Sequence, residues 1–195
     1  MLQQKLINHN IILASGSPRR QNFFKELRIP FTVDVRKVIE KFPTELKGTE
    51  ITDYLAQLKA SMFKELSEND ILITSDTIVW KEGTALEKPK DAAHAKEMLA
   101  DLSGKFHEVI TSVCFTGPDF QKTVNETTKV WFSELSEEEI NYYVDTYQPF
   151  DKAGAYGIQE WIGYIGIDKI EGSFFNVVGL PTRLVYKTLI ALTSK

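Results

Sequence analysis

The stretch from Ile11 to Arg20, Ile-Ile-Leu-Ala-Ser-Gly-Ser-Pro-Arg-Arg, leaves this chain little choice of local structure. Ile11-Ile12-Leu13 is a short apolar run suited to a buried strand. Ala14, Ser15 and Gly16 are small, which permits a tight turn and close approach of backbone to a ligand. Ser17 suits the helix N-cap. Pro18 suits the first helical position, where its missing N–H costs nothing. Arg19 and Arg20 then fall in the first turn, where the helix already carries partial positive charge. Two guanidinium groups beside free backbone N–H groups make sense if an anion comes there. Alone, the stretch also reads as an ordinary capped turn followed by two surface arginines. It lacks the Gly-Lys-Ser/Thr ending of a Walker loop and is no Gly-x-Gly-x-x-Gly fingerprint.

At 195 residues and 43% hydrophobic content, the chain suits one globular domain over 1–195, with room for two lobes. No apolar run reaches membrane-spanning length, and the first ten residues lack a secretory core and cleavage site. A cytoplasmic location with no membrane partner is the expectation. One cysteine, Cys114, excludes an internal disulfide framework, and with three histidines it argues against zinc. A net charge of −4 argues against a stable nucleic-acid partner, although a local cluster of cations can still hold a polyanion.

Along the chain, the patterns predict a helix from Pro18 to about Arg28 and a strand from Phe31 to Val35. An amphipathic helix follows from Thr49 to about Leu66, its apolar stripe running through Ile51, Tyr54, Leu55, Leu58, Met62 and Leu66. Ile71 to Thr74 reads as a central strand with Ser75-Asp76-Thr77 at its carboxyl end, where ligands gather in open α/β sheets. Glu82-Gly83 looks like a two-residue hairpin turn. Asp91 opens a helix that ends at Ser103-Gly104. Strands are read over Phe106–Phe115, Gln121–Phe132 and Tyr164–Ile170, and Ser136-Glu137-Glu138-Glu139 starts a helix with a capping box. The last helix opens at Pro181. His107 on a strand and Cys114 in an apolar run read as packing residues.

Several residues have two readings on residue type alone. Glu40 reads as a solvated loop residue. Lys59 reads as a snorkelling surface lysine. Asp76 is either a turn residue or a candidate base or metal ligand. Lys88, held extended before Pro89, has a fixed reach. The small residues around Tyr156, in Asp151 to Gln159, suggest a backbone that closes over a flat ligand.

These motifs together resemble the Maf family of nucleoside triphosphate pyrophosphatases. The resemblance rests on Ser15-Gly16-Ser17-Pro18-Arg19-Arg20, Leu55-Ala56-Gln57-Leu58-Lys59-Ala60, Asp76-Thr77-Ile78-Val79, Lys88-Pro89, Asp151 to Gln159 and Asn176 to Pro181. Glu87 stands where the family usually has glycine before Lys-Pro, and Glu160 where glycine usually follows the glutamine. The resemblance implies an α/β fold of the Maf/ITPase type, with a mixed central sheet flanked by helices and two lobes around a substrate cleft. It implies hydrolysis of a nucleoside triphosphate between the α and β phosphates, with Mg²⁺ or Mn²⁺ as cofactor. In that pattern Ser15, Arg19, Lys59 and Lys88 clamp phosphates, while Asp76 and Glu40 activate water or hold the metal. Arg20, Thr77 and Gln159 resemble the subgroup acting on dTTP and UTP. A homodimer is a further family-level expectation. Two alternatives stand beside it: a pyrophosphatase for modified or methylated purine triphosphates, and a non-catalytic nucleotide-binding regulator of septum formation, the latter disfavoured by the retained Asp76, Lys59 and Lys88.

Overall fold

The computed structural model describes residues 1–194. Its strands form one mixed sheet in the order β2-β1-β3-β5-β6-β7, with β4 paired to β3, where β1 is Asn10–Leu13, β2 Thr32–Val33, β3 Asp70–Lys81, β4 Thr84–Leu86, β5 Phe106–Thr116, β6 Gln121–Phe132 and β7 Ile167–Glu171. The β1 pairings to β2 and β3 are parallel, while β3–β4 and β6–β7 are antiparallel. The α/β class expected from the sequence is therefore observed.

The described chain divides into two compact units, one of residues 1–76, 111–126 and 179–194, the other of 77–110 and 127–178. The first unit contains helices α1 (Leu2–Lys5), α2 (Pro18–Glu26), α3 (Thr49–Ala60) and α8 (Thr182–Leu192). Its main core joins Ile11 and Leu13 of β1 to Ile71 and Ile73 of β3, Phe24 of α2, Val113 and Phe115 of β5, and Val185 and Leu189 of α8. Helix α1 has no counterpart in the sequence reading; it exists because Leu2 and Leu6 enter this core. A second cluster gathers Ala56, Ala60, Phe63, Leu72 and Cys114, so Cys114 is a buried packing residue.

The second unit holds α4 (Ala92–Leu102), α5 (Glu137–Tyr147), the 3₁₀ turn Ala153–Ala155, α6 (Trp161–Gly166) and α7 (Phe174–Val178). Local signals hold well here. Asp91 caps α4 by accepting from the His94 N–H at 2.8 Å. Ser136 and Glu139 form the capping box of α5. Glu82 and Gly83 turn β3 into β4 with φ of 49° and 83°, as a type I′ hairpin requires.

Several sequence readings are corrected. Helix α3 stops at Ala60, short of Leu66, because the chain turns after Ser61 and drives Phe63 against Ala56 and Ala60. Tyr54 and Met62, placed on the apolar stripe, are exposed instead. β2 is two exposed residues rather than Phe31–Val35, and α2 ends at Glu26 rather than Arg28, which already has a left-handed φ of 52°. Trp161–Gly166 is helical, and only Ile167–Glu171 is strand. Here the chain folds back so closely that a Cβ on Gly163 would lie 1.8 Å from the Ile158 carbonyl oxygen, an approach open to glycine alone. Finally, Asp76 does not end a strand. β3 continues to Lys81, and what ends is its pairing with β1, at Leu13 and Ile73.

Candidate active site

Where β1 stops pairing, its loop and the continuing β3 bring most of the expected phosphate residues of the first unit together. Asp76 is 7% exposed and accepts a hydrogen bond from Lys59 Nζ at 2.6 Å. Lys59 comes from the last turn of α3, where the helix dipole favours a cation. The same ammonium lies 3.2 Å from Glu40 Oε2, so one cation sits between two carboxylates of different character. The Asp76 side chain is 9% exposed and the Glu40 side chain 50%. Glu40 lies outside regular structure, as a loop residue should, yet its partner is the expected site lysine.

The loop after β1 departs from the simplest capping scheme. Ser17 occupies the N-cap of α2, but its side chain makes no capping bond; its backbone N–H donates to Ser15 Oγ at 3.3 Å. Ser15 is buried, and its carbonyl accepts from the Gln21 side-chain amide at 3.1 Å. Gly16 is not among the glycines of positive φ, and an added Cβ there would meet nothing within 4 Å. The fold therefore does not need glycine at 16, which leaves open space beside the N-terminus of α2.

Arg20 reaches inward. Its Nε donates to the Gly179 carbonyl at 2.8 Å and its Nη1 to the Ser75 carbonyl at 3.0 Å, with Ser15 Oγ at 3.5 Å. Burial weighs against its charge; Asp76 and Glu40 offset part of that cost, and the neighbouring Arg19 adds to it. Arg19 is half-buried in the same helical turn. Ser15, Arg20, Glu40, Lys59 and Asp76 thus form one connected group. Ser75 and Gly179 join it through their backbone carbonyls and Gln21 through its side-chain amide.

Thr77, Lys88 and Gln159 belong to the second unit. Thr77 is half-buried on β3, Lys88 is exposed between β4 and α4, and Gln159 is half-buried just before α6. Gln159 lines a cavity of about 290 Å³ whose other walls include Ile158, Tyr164, Ile167 and Phe174. The segment carrying Gln159 is anchored by residues the sequence reading missed. Tyr143 donates to Glu160 and accepts from the Gly157 N–H at 3.0 Å, and Lys152 pairs with Glu160 at 3.1 Å. Burial, followed by the Glu160 carboxylate, raises the Tyr143 phenol well above its ordinary value. Glu160 is thus a structural counter-ion where the family usually has glycine.

Tyr156, in the same segment, turns to the core: it is 6% exposed and its hydroxyl lies 2.7 Å from His107 Nε2. Both rings pack edge to face on each other, and Phe132 stands against both. Burial, with Lys81 adding to it, pushes the His107 imidazole down to about 4, so it is neutral at pH 7. His107 is the packing residue that its strand position suggested.

A metal fits the carboxylate pair but not a closed cage. Among the described residues no group of three or more His, Cys, Asp or Glu side chains could hold an ion. Asp76 and Glu40 offer two hard oxygen donors that already share one cation. Mg²⁺-type ions are commonly held by one or two carboxylates, with substrate phosphates and water completing the shell.

Fold and site together define an α/β protein that gathers cations and a carboxylate pair at a strand–loop–helix junction. The chain belongs to the Maf family: the family model described as "Maf-like protein" matches residues 10–192. Among similar proteins, the dTTP/UTP pyrophosphatase of Christiangramia forsetii is 65% identical, with 97% of each chain covered. That of Bacteroides thetaiotaomicron is 48% identical over 94% of this chain and 96% of its own. A solved HAM1 protein from Coxiella burnetii aligns with a TM-score of 0.50 at 12% identity, over 94% of this chain and 99% of that one, which is a likeness of fold alone. Among the described residues no helix is long and apolar enough to cross a membrane.

Proposed function

We propose that this chain hydrolyses dTTP and UTP to the nucleoside monophosphate and pyrophosphate. The observation that carries the reading is Lys59 between Asp76 and Glu40, at 2.6 and 3.2 Å, beside the open end of the Ser15–Arg20 loop. The relatives named for dTTP and UTP support the substrate.

In this reading a triphosphate binds through Ser15, Arg19, Lys59 and Lys88, with the N–H groups at the start of α2 adding to the cradle. The bare space at Gly16 leaves room for phosphate oxygens. Asp76 and Glu40 would hold a divalent cation. When bound, that cation neutralises charge on phosphate oxygens and lowers the barrier to attack. Water adds to the α phosphorus, the bond to the α–β bridging oxygen breaks, and pyrophosphate leaves. Asp76 takes the proton from the attacking water, while Lys59 compensates charge at the carboxylate and at the phosphates. Arg20 orders the loop by holding two backbone carbonyls. Gln159, which offers one acceptor and two donors, reads the N3–H and a flanking carbonyl of uracil or thymine. Cytosine would mismatch that edge and leave polar groups unpaired.

The test is a panel of nucleoside triphosphates with Mg²⁺ or Mn²⁺, the products resolved by chromatography. dTTP and UTP should each yield one monophosphate and one pyrophosphate, with little turnover of CTP, ATP or GTP, and EDTA should abolish the reaction. A purine preference would refute the substrate assignment. Release of inorganic phosphate would refute the bond assignment.

A further inference from the structure

What fixes Lys59 is a question of how α3 is indexed against the sheet. The large buried apolar side chains of α3, Ile51 and Leu55, lie at least one turn before Lys59. Nearer the lysine, Ala56 and Ala60 are almost fully buried, and such small side chains let the helix come close without keying its position. A slip of one residue along a helix axis is about 1.5 Å, enough to break the 2.6 Å contact between Lys59 and Asp76.

Hydrogen bonds do the keying. The Thr74 hydroxyl, fully buried on β3, donates to the Ala56 carbonyl of α3 at 2.6 Å. Thr74 and Asp76 share one face of the strand, because side chains there alternate with period two. Ala56 and Lys59 are neighbours on one helix face, at i and i+3. The Thr74–Ala56 and Asp76–Lys59 bonds are therefore successive rungs between the same two elements. Further rungs lie toward the start of α3. Thr52 Oγ1 and Ser112 Oγ are 2.6 Å apart, Ser112 donates to Asp53 at 2.6 Å, and the Asn125 amide donates to both Asp53 oxygens. Gln57 donates to Thr123 at 3.0 Å.

We propose that Thr74 is a positioning residue for the Lys59–Asp76 pair, its hydroxyl setting the register of α3 on β3 and so the place of the lysine. The inference builds on the pyrophosphatase reading, but one of its measurements does not depend on it. Thr74→Val keeps the shape and removes the donor; Thr74→Ser keeps the donor and removes a methyl group. UTP turnover should fall at least about tenfold in Thr74→Val, the scale of loss from small misplacements of a reacting group. Thr74→Ser should stay within about twofold of wild type despite a lowered melting temperature, so that activity follows the hydroxyl and not stability. In parallel, the rate of Lys59 acylation by acetic anhydride, read by peptide mass spectrometry, should rise severalfold in Thr74→Val only. If Thr74→Val does not fold, Thr74→Ala replaces it. Wild-type turnover in Thr74→Val, an unchanged acylation rate, or a Thr74→Ser as impaired as Thr74→Val overturns the proposal. Wild-type protein inert toward UTP overturns the proposed function instead, and the acylation comparison then decides the role of Thr74.

Discussion

Two of the titratable clusters that the molecule buries are built in opposite ways. Around Lys59 the charges are kept: an ammonium lies between two carboxylates, and one of these, Glu40, has half its side chain in solvent. Around His107 the titratable groups are held neutral: an uncharged imidazole, a tyrosine hydroxyl and Phe132 pack together, and His107 Nδ1 has no hydrogen-bond partner. Keeping ions in a half-buried place costs desolvation and makes sense where charged ligands must be met. Excluding ions makes sense where a protein needs only packing. The first cluster should respond to mutation mainly in activity, the second mainly in stability.

The largest expected effect is on the first cluster. Asp76→Asn keeps the shape of the side chain and removes its charge and basicity. Steady-state assays with UTP should show turnover lowered by at least about a hundredfold, while thermal unfolding stays cooperative. Near-normal turnover would make Asp76 an ordinary strand residue and remove the contrast. Lys59→Met sharpens the comparison by exposing the cost of the stranded partner. It leaves the Asp76 carboxylate buried without its cation, which should lower stability by about 1–3 kcal/mol in denaturant titrations, besides weakening triphosphate binding.

The second cluster is tested by pH. The unfolded chain binds a proton at His107 near pH 6.5, the folded chain only near 4. Above pH 6.5 both states are neutral and the cluster contributes fully. Between 6.5 and 4 only the unfolded state is protonated, so stability falls as pH falls. From pH 8 to pH 5.5 this one residue should remove about 1.4 kcal/mol, a step that urea titrations of His107→Gln should lack. An identical pH profile in the variant would show that the imidazole is not held neutral.

The sequence made the first cluster more readable than the second. Ser15 and Arg20 sit in a strand–loop–helix stretch, Lys59 and Asp76 are singled out by the family resemblance, and the structure joins them. Glu40 read as a plain loop residue because nothing in its neighbours predicts the 3.2 Å contact with Lys59, which depends on how the chain passes α3. Thr74 carried a signal, its period-two relation to Asp76, but its partner is a backbone carbonyl, and backbone partners leave no mark in a sequence. Around Tyr156 small residues announced a special backbone, yet freedom to turn does not fix direction, and the ring went inward to His107. Tyr164–Gly166 read as the start of a strand because apolar runs are ambiguous, and the close approach of Gly163 to Ile158 is a tertiary fact. Phe63 ended α3 early for the same kind of reason.

The smallest effect concerns Gly16. Since nothing in the fold occupies the space of its missing Cβ and its φ is ordinary, Gly16→Ala should leave stability unchanged or raise it by up to about 1 kcal/mol. On the proposed mode of binding its KM for UTP should nonetheless rise, because the methyl group would enter the space assigned to phosphate. An unchanged KM would place the substrate elsewhere.

The central claim is that the first cluster directs water onto the α phosphorus of a pyrimidine nucleoside triphosphate. Turnover of UTP in ¹⁸O-labelled water, with both products analysed by mass spectrometry, tests it most directly. One ¹⁸O should appear in UMP and none in the pyrophosphate. Label in the pyrophosphate, or inorganic phosphate as the labelled product, would contradict it.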